Sequence, residues 1–264
     1  MAPLILRPTA LAHGGAAVAR EDGKVWLINY ALPGEVVEAE PRGRQGGVAV
    51  AAATKVIEAS PHRVAAPCPY FGECGGCQLQ HAAYAHQLAL KRQVVEEAWS
   101  RAGLRLPPDT PVLGMDDPWR YRIRGEFEAI FQSGTWRFGF HRLRSHSVLP
   151  IDTCSIHDLR IERALPAFAQ AANELKLTDL QNLLLTIEPK GRGLLWRLRY
   201  KGREPKWPRE EFARRVGELL PEQVLLDDAM SLEFSGLTFR VASDTFVQNS
   251  APFQQRRAGG DLLR

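Results

Sequence analysis

The stretch WRYRIRGEFEAIFQSGTWRFGF, residues 119–140, decides how the middle of this chain folds. Tyr121, Ile123, Phe127, Ala129 and Phe131 alternate with Arg122, Arg124, Glu126 and Glu128. Successive side chains of a strand point to opposite faces, so this period of two separates an apolar face from a charged one. Ser133-Gly134 then supplies a turn into Trp136, Phe138 and Phe140, and the spacing predicts a β-hairpin. A second hairpin is expected from about Leu183 to Glu188, through Lys190-Gly191, into Leu194 to Lys201. There Trp196, Leu198 and Tyr200 alternate with Arg197, Arg199 and Lys201. Helical periodicity over about Leu159 to Leu175 and Arg209 to Leu220 flanks these strands, so the middle region reads as α+β with a mainly antiparallel sheet.

The basic outer faces of the hairpins offer a track for phosphates, and a solvated strand face explains them equally well. Arg142 and Arg144, in HRLRSHS (141–147), fall in an expected loop near Cys154. With Arg122 and Arg124 they form the candidate phosphate contacts.

Upstream, residues 1 to about 58 carry short apolar runs: Val25 to Ile28, Val36 to Val37 and Val48 to Ala53. Gly14-Gly15, Asp22-Gly23, Pro33-Gly34 and Gly46-Gly47 separate them, which predicts a small barrel of short strands. An OB-like barrel would present a face and loops to single-stranded nucleic acid, and an SH3-like barrel fits the same pattern. A helix is expected from roughly His81 to Ala102, stopped by Gly103. Its stripe of Tyr84, Leu88, Val95 and Trp99 reads as packing surface.

At 264 residues, 45% hydrophobic and 24% charged, the chain can bury a core and has the length of two modest domains. A net charge of +4 suits a polyanionic partner and many ordinary proteins alike. The start, MAPLILRPTALAHGG, has no basic region followed by a long apolar run, and nowhere do about 18 apolar residues run together, so a cytoplasmic protein without membrane contact is expected.

Four cysteines occur, and three sit in CPYFGECGGC (68–77). A reducing cytosol leaves such thiols free for a metal, and the glycines let the backbone fold so that Cys68, Cys74 and Cys77 converge. With Cys154 they make a four-thiolate set for a [4Fe–4S] cluster, and tetrahedral zinc is the chemical competitor. Zinc ligands usually come as paired CxxC knuckles; three clustered thiols and one remote favour iron–sulfur.

CPYFGECGGCQLQHAAYAHQLALKRQVVEEA (68–98) closely resembles the cluster segment of the iron–sulfur RNA uracil-5-methyltransferases. ALAHGGAAVAREDGKVWLINYALPGEVVEAEP (10–41) resembles the TRAM domain, an OB-like RNA-binding barrel found in one branch of that family. WRYRIRGEFEAI, GFHRLRSHSVLPIDTCSIHD and LTFRVASDTFVQNS are similar to its central domain and to the junction with its methyltransferase domain. The resemblance implies a [4Fe–4S] cluster on Cys68, Cys74, Cys77 and Cys154, architectural and RNA-facing. It also implies S-adenosyl-L-methionine as methyl donor and a uridine in a structured loop of large-subunit ribosomal RNA as target. Phe246 and Gln248 are the positions it carries closest to the donor and the flipped base. The family pattern separates the glutamine and asparagine by one residue, whereas Gln248 and Asn249 are adjacent here.

Uracil C5 attacks a methyl donor only after a thiolate adds to C6, and a base must then remove the C5 proton. All four cysteines are committed to the cluster, and no strand leads into a GxGxxG turn, so a doubly wound donor-binding domain is expected to be absent. The chain is therefore expected to be a truncated portion, inactive alone. The expected organisation is a TRAM barrel over 1–58, a central α+β domain over 59–80 and 105–238, a helix over 81–104 that would pack on the methyltransferase domain, and a stub of that domain over 239–264. A non-enzymatic iron–sulfur RNA-binding module is the alternative, and an electron-transfer protein a third reading.

Overall fold

The computed structural model describes residues 4–234 and 236–245. Phe246 and Gln248 lie outside the described residues. The chain divides into two compact units, Met1–Asp116 and Asp117–Arg264.

In the first unit, β1 (Leu4–Leu6), β2 (Ala10–Leu11), β3 (Ala17–Glu21), β4 (Lys24–Asn29), β5 (Val36–Gln45) and β6 (Val48–Glu58) form one sheet in the order β1-β5-β6-β4-β3-β2. β5 and β6 make a long antiparallel hairpin with three register shifts. Such bulges increase the local twist and let a strand bend over its own core. The core is built mostly of small residues, with Leu6, Ala17, Ala19, Ile28, Val37, Ala39 and Ala51 all buried.

The helix α1 (Tyr84–Arg101) follows the cysteine segment. It buries Leu90 against Leu11, Leu32 and Ala82, with Leu79 and Val94 alongside. The anticipated stripe is split. Tyr84 and Leu88 face the backbone around Gly114, and the Tyr84 hydroxyl accepts from the Met115 N–H at 2.9 Å, while Val95 and Trp99 are 43% and 39% exposed.

In the second unit, β7 (Arg124–Gln132), β8 (Thr135–His141), β9 (Val148–Pro150), β10 (Leu180–Ile187), β11 (Gly193–Tyr200) and β12 (Gln223–Val224) form a sheet in the order β12-β11-β10-β7-β8-β9. Both predicted hairpins are present. Ser133 and Gly134 turn the first with positive φ at both positions, the twist a two-residue hairpin needs. Phe127 pairs with Leu183, which pairs with Leu198, so the apolar faces of three strands line up. Onto that face pack α2 (Leu159–Glu174) and α3 (Arg209–Leu219), enclosing Phe127, Phe168, Trp196 and Phe212. β13 (Ala229–Phe234) and β14 (Leu237–Ala242) form a separate antiparallel pair.

The expected class of barrel plus antiparallel sheet is corrected to mixed sheets with helices. β4 pairs with β6 in parallel, and β11 with β12 in parallel. The physical reason is that β6 returns past β5 and lies beside β4 rather than beside its sequence neighbour alone. No helix among the described residues is long and apolar enough to cross a membrane.

Candidate functional site

The cysteine loop is fastened at its neck. The Val64 N–H donates to the His81 carbonyl and the Ala83 N–H to the His62 carbonyl, both at 2.9 Å, and Arg63 and Ala82 form a bridge. Beneath the neck is a buried ion pair. Glu35, 1% exposed, accepts from Arg63 Nε at 2.6 Å and Nη2 at 2.7 Å, and from the Leu32 and Ser60 backbone N–H groups. Arg63 Nη2 also donates to the Tyr30 carbonyl at 2.9 Å. Burial works to raise the Glu35 pKa, but Arg63 and the two backbone donors outweigh it and hold the carboxyl below its usual range.

His81 closes the floor of the loop, with its ring 5.3 Å from Phe71, which in turn meets Tyr30 edge-on at 5.4 Å. Burial first, and then the nearby Arg63 charge, push its pKa down to about 4. Gly15 lets the β2–β3 turn approach the loop: its φ is +86°, and a Cβ there would stand 2.8 Å from Cβ of Gln78.

Within the loop the Cys68 N–H donates to Gln80 Oε1 at 3.3 Å, and the Cys74 N–H to the Tyr70 carbonyl at 2.9 Å. The Gly76 N–H points at Cys74 Sγ, 3.4 Å away. Burial, and after it the charges of Cys77 and Cys68, push the Cys74 thiol pKa up. Charge on Cys77 and Cys68 thus disfavours the Cys74 thiolate, a penalty that a bound cation would relieve. Three soft sulfur donors with a backbone N–H on one of them fit a thiophilic metal or cluster in their chemistry. Among the described residues, however, no group of three or more His, Cys, Asp or Glu side chains is drawn together as a formed metal site.

Cys154 belongs to the second unit, just before α2. Its N–H donates to Glu162 Oε2 at 3.2 Å, and its carbonyl accepts from Arg120 Nη1 at 2.9 Å, while Arg120 and Glu162 pair with each other. His157 Nδ1 stands 3.1 Å from Cys154 Sγ, and His157 Nε2 is 3.2 Å from the Arg124 carbonyl. A carbonyl only accepts, so Nε2 carries the proton; Nδ1 of the neutral ring then accepts from the thiol. Neutral is the state burial imposes, because desolvation and then Arg122 push the His157 pKa down to about 3. Gly125 makes room for the ring, since a Cβ there would lie 2.9 Å from His157 Nε2. Asp158 caps α2 by accepting from the Arg160 N–H at 2.9 Å.

The candidate RNA contacts have unequal surroundings. Arg122 sits beside this segment, its backbone bonded to Ile156 and Asp158. Half-buried Arg124 donates from Nη1 to Thr186 Oγ1 and to the Ser243 carbonyl, both at 3.2 Å. Arg142 and Arg144 lie in the turn between β8 and β9, closed by the Arg142 N–H on the Ser147 carbonyl at 2.9 Å, and Arg144 is exposed. The outer sheet face is charge-paired rather than bare: Glu126 accepts from Asn182 at 2.8 Å and Arg199 at 3.1 Å, and Arg137 meets Asp152 at 2.9 Å.

Sequence reading missed Glu35, Arg63, His81 and His157. The Cys154-x-x-His157 spacing is a legible signal for the last; the Glu35–Arg63 pair joins positions too far apart in sequence for any local pattern to link them.

No family model matches the chain. It is 38% identical over 166 residues to an uncharacterized RNA methyltransferase of Halalkalibacterium halodurans, covering 62% of this chain and 36% of that one. It is 35% identical over 175 residues to the 23S rRNA (uracil(1939)-C(5))-methyltransferase RlmD of Shewanella amazonensis, covering 66% and 40%. With an uncharacterized RNA methyltransferase of Aquifex aeolicus it shares 34% over 188 residues, covering 71% and 43%. The chain thus spans roughly two fifths of the length of these curated relatives. Its fold is similar to the crystal structure of the Pyrococcus abyssi tRNA (uracil-54, C5)-methyltransferase in complex with S-adenosyl-L-homocysteine. The TM-score is 0.70 at 17% identity, over 97% of this chain and 65% of that one.

This likeness overturns the expectation that a donor-binding domain is absent. Nearly the whole chain shares its fold with part of a methyltransferase that holds the spent donor.

Proposed function

We propose that this chain is the RNA-binding, cluster-carrying portion of an RNA uracil-C5 methyltransferase that acts in the cytoplasm on a structured loop of large-subunit ribosomal RNA, with S-adenosyl-L-methionine as methyl donor. The observation that carries this reading is the identity of 34–38% with RNA methyltransferases over stretches of up to 188 residues. The neck-fastened loop of three thiols supports it, because a loop held by a buried ion pair at its base is a rigid mount for a cluster. Cys68, Cys74 and Cys77 would hold a [4Fe–4S] cluster, with Cys154 the fourth ligand by the sequence resemblance. When bound, the cluster would supply a fixed, charged scaffold. The 1–58 unit serves as a TRAM barrel, and 59–80 with 105–238 as the central domain. Arg142 and Arg144 meet phosphates, and the sequence resemblance assigns Phe246 and Gln248 to the donor side. The exposed Val95 and Trp99 of α1 form the face on which a methyltransferase domain packs.

The test is anaerobic reconstitution of this chain with iron and sulfide, followed by iron counting and by assay of 5-methyluridine in a ribosomal RNA fragment supplied with labelled S-adenosyl-L-methionine. About four irons per chain, lost when any of the four cysteines becomes serine, is the expected result. Stoichiometric zinc with no iron uptake would sink the cluster. RNA binding with no methyl transfer by any longer version of the protein would leave the alternative, a non-enzymatic RNA-binding module, as the better reading.

A further inference from the structure

Around Cys154 the second unit carries more polar contacts than the turn itself needs. Its backbone already fastens the turn: the Arg120 N–H donates to the Ser155 carbonyl at 3.0 Å, the Arg122 N–H to the Ile156 carbonyl and the Asp158 N–H to the Arg122 carbonyl, both at 2.9 Å. The His157 N–H closes it on the Cys154 carbonyl at 3.2 Å, and Asp158 caps α2 behind it.

What remains is an ion pair whose two partners meet on one residue. Glu162, from the start of α2, accepts the Cys154 N–H on Oε2 at 3.2 Å. Arg120 Nη1 donates to that same Oε2, to the Cys154 carbonyl at 2.9 Å and to the His157 carbonyl at 3.3 Å. The main-chain donor and the main-chain acceptor of Cys154 therefore both end on the Arg120–Glu162 pair. Arg120 does this from a strained backbone: its φ is +54°, a left-handed conformation that a long side chain keeps only where its contacts hold it there. The thiol is then oriented by His157 Nδ1, 3.1 Å from Sγ. Metal sites depend on partners that orient the ligating side chains, and a ligand fixed on both sides of its Cα is placed before the metal arrives.

We propose that Arg120 and Glu162 are positioning residues that hold Cys154 in place as the fourth thiolate of the cluster. They act through Cys154 alone. The proposal rests on the cluster reading above.

The test reconstitutes wild type, Cys154→Ser, Arg120→Gln and the double variant anaerobically with iron and sulfide. Iron per chain and the EPR spectrum are read, with far-UV circular dichroism as the check on folding. Wild type is expected to hold about four irons and Cys154→Ser at least about one fewer, because a four-iron cluster uses four thiolates. Arg120→Gln should fall to the Cys154→Ser level with the same EPR spectrum. The double variant should fall no further, since two changes that act through one ligand do not add. Arg120→Lys, which keeps a charge for Glu162, should recover most of the iron. The side chains of Arg120 and Glu162 are 36% and 20% exposed, so neither variant leaves a fully buried charge alone. If Arg120→Gln fails to fold, Glu162→Gln decides: it removes the charge that holds Arg120 and should lose iron in the same way. A wild-type iron count and spectrum in the folded Arg120→Gln and Glu162→Gln variants overturns the clamp and leaves the cluster standing. Further iron loss in the double variant overturns it too, because Arg120 then acts on more than Cys154. Four irons in Cys154→Ser removes Cys154 as a ligand and the clamp with it. A wild type that takes up no iron refutes cluster and clamp together.

Discussion

At the scale of single residues, the Glu35–Arg63 pair decides whether the cysteine loop has a fixed base. Glu35 carries four hydrogen bonds in a buried position, and Arg63 is largely covered, so removing one partner strands the other. Glu35→Ala is expected to cost about 3 kcal/mol, the low end for breaking a buried pair because Arg63 keeps some contact with water. A urea midpoint shift at constant m-value checks it. His81 gives the same region a pH dependence. Its folded pKa of about 4 lies below the unfolded value of about 6.5, so the unfolded state binds the extra proton. Stability is whole above pH 6.5, falls as the pH drops toward 4, and levels below that for this group. Glu35, also depressed, adds loss in the same direction at lower pH. The His81 share amounts to roughly 3 kcal/mol at most. Thermal melts of the wild type and of His81→Gln between pH 7 and pH 4 should converge as the pH falls; parallel curves would remove His81 as the cause.

At the scale of elements, the hairpins were legible because alternation is a local property: Phe127 and Ala129 alternate with Glu126 and Glu128, and the structure places them with Phe131 in β7, in register with β8, while Tyr121 and Ile123 precede the strand. The α1 stripe was only half legible. A period of 3.6 identifies a face, but not that Tyr84 and Leu88 meet the Gly114 backbone while Leu90 and Val94 meet the strands. Parallel pairing of β4 with β6 was illegible for a similar reason, since nothing within either strand records which non-neighbour it joins. The start of α2 is where element and site meet. Asp158 caps the helix, and the Cys154–His157 turn leads directly into that cap. Asp158→Ala is expected to cost about 1 kcal/mol from the cap alone, with somewhat more from the lost Arg160 contact. If the cap also positions Cys154, iron content after reconstitution should fall with it, whereas Asp152→Ala, on the exposed sheet edge, should leave iron unchanged.

At the scale of the whole molecule, a net charge of +4 does not identify an RNA surface, because Arg42, Arg137, Arg197 and Arg199 of the described strands are spent on carboxylates. What distinguishes candidate contacts is how each guanidinium is used. Arg124 holds Thr186 and the Ser243 carbonyl together across the sheet, so its loss should appear first in stability. Arg144 is exposed in the β8–β9 turn, so its loss should appear in binding. Each phosphate contact adds about 0.7–0.9 to the slope of log affinity against log salt. Arg144→Ala should therefore lower that slope by about one contact's share on a ribosomal RNA fragment. Arg124→Ala should lower the melting temperature and leave the slope alone in the fraction that remains folded. Salt titrations at three or more ionic strengths, paired with melts, separate the two. An unchanged slope for Arg144→Ala would move the RNA surface away from this turn, leaving the first unit's sheet as the place to look.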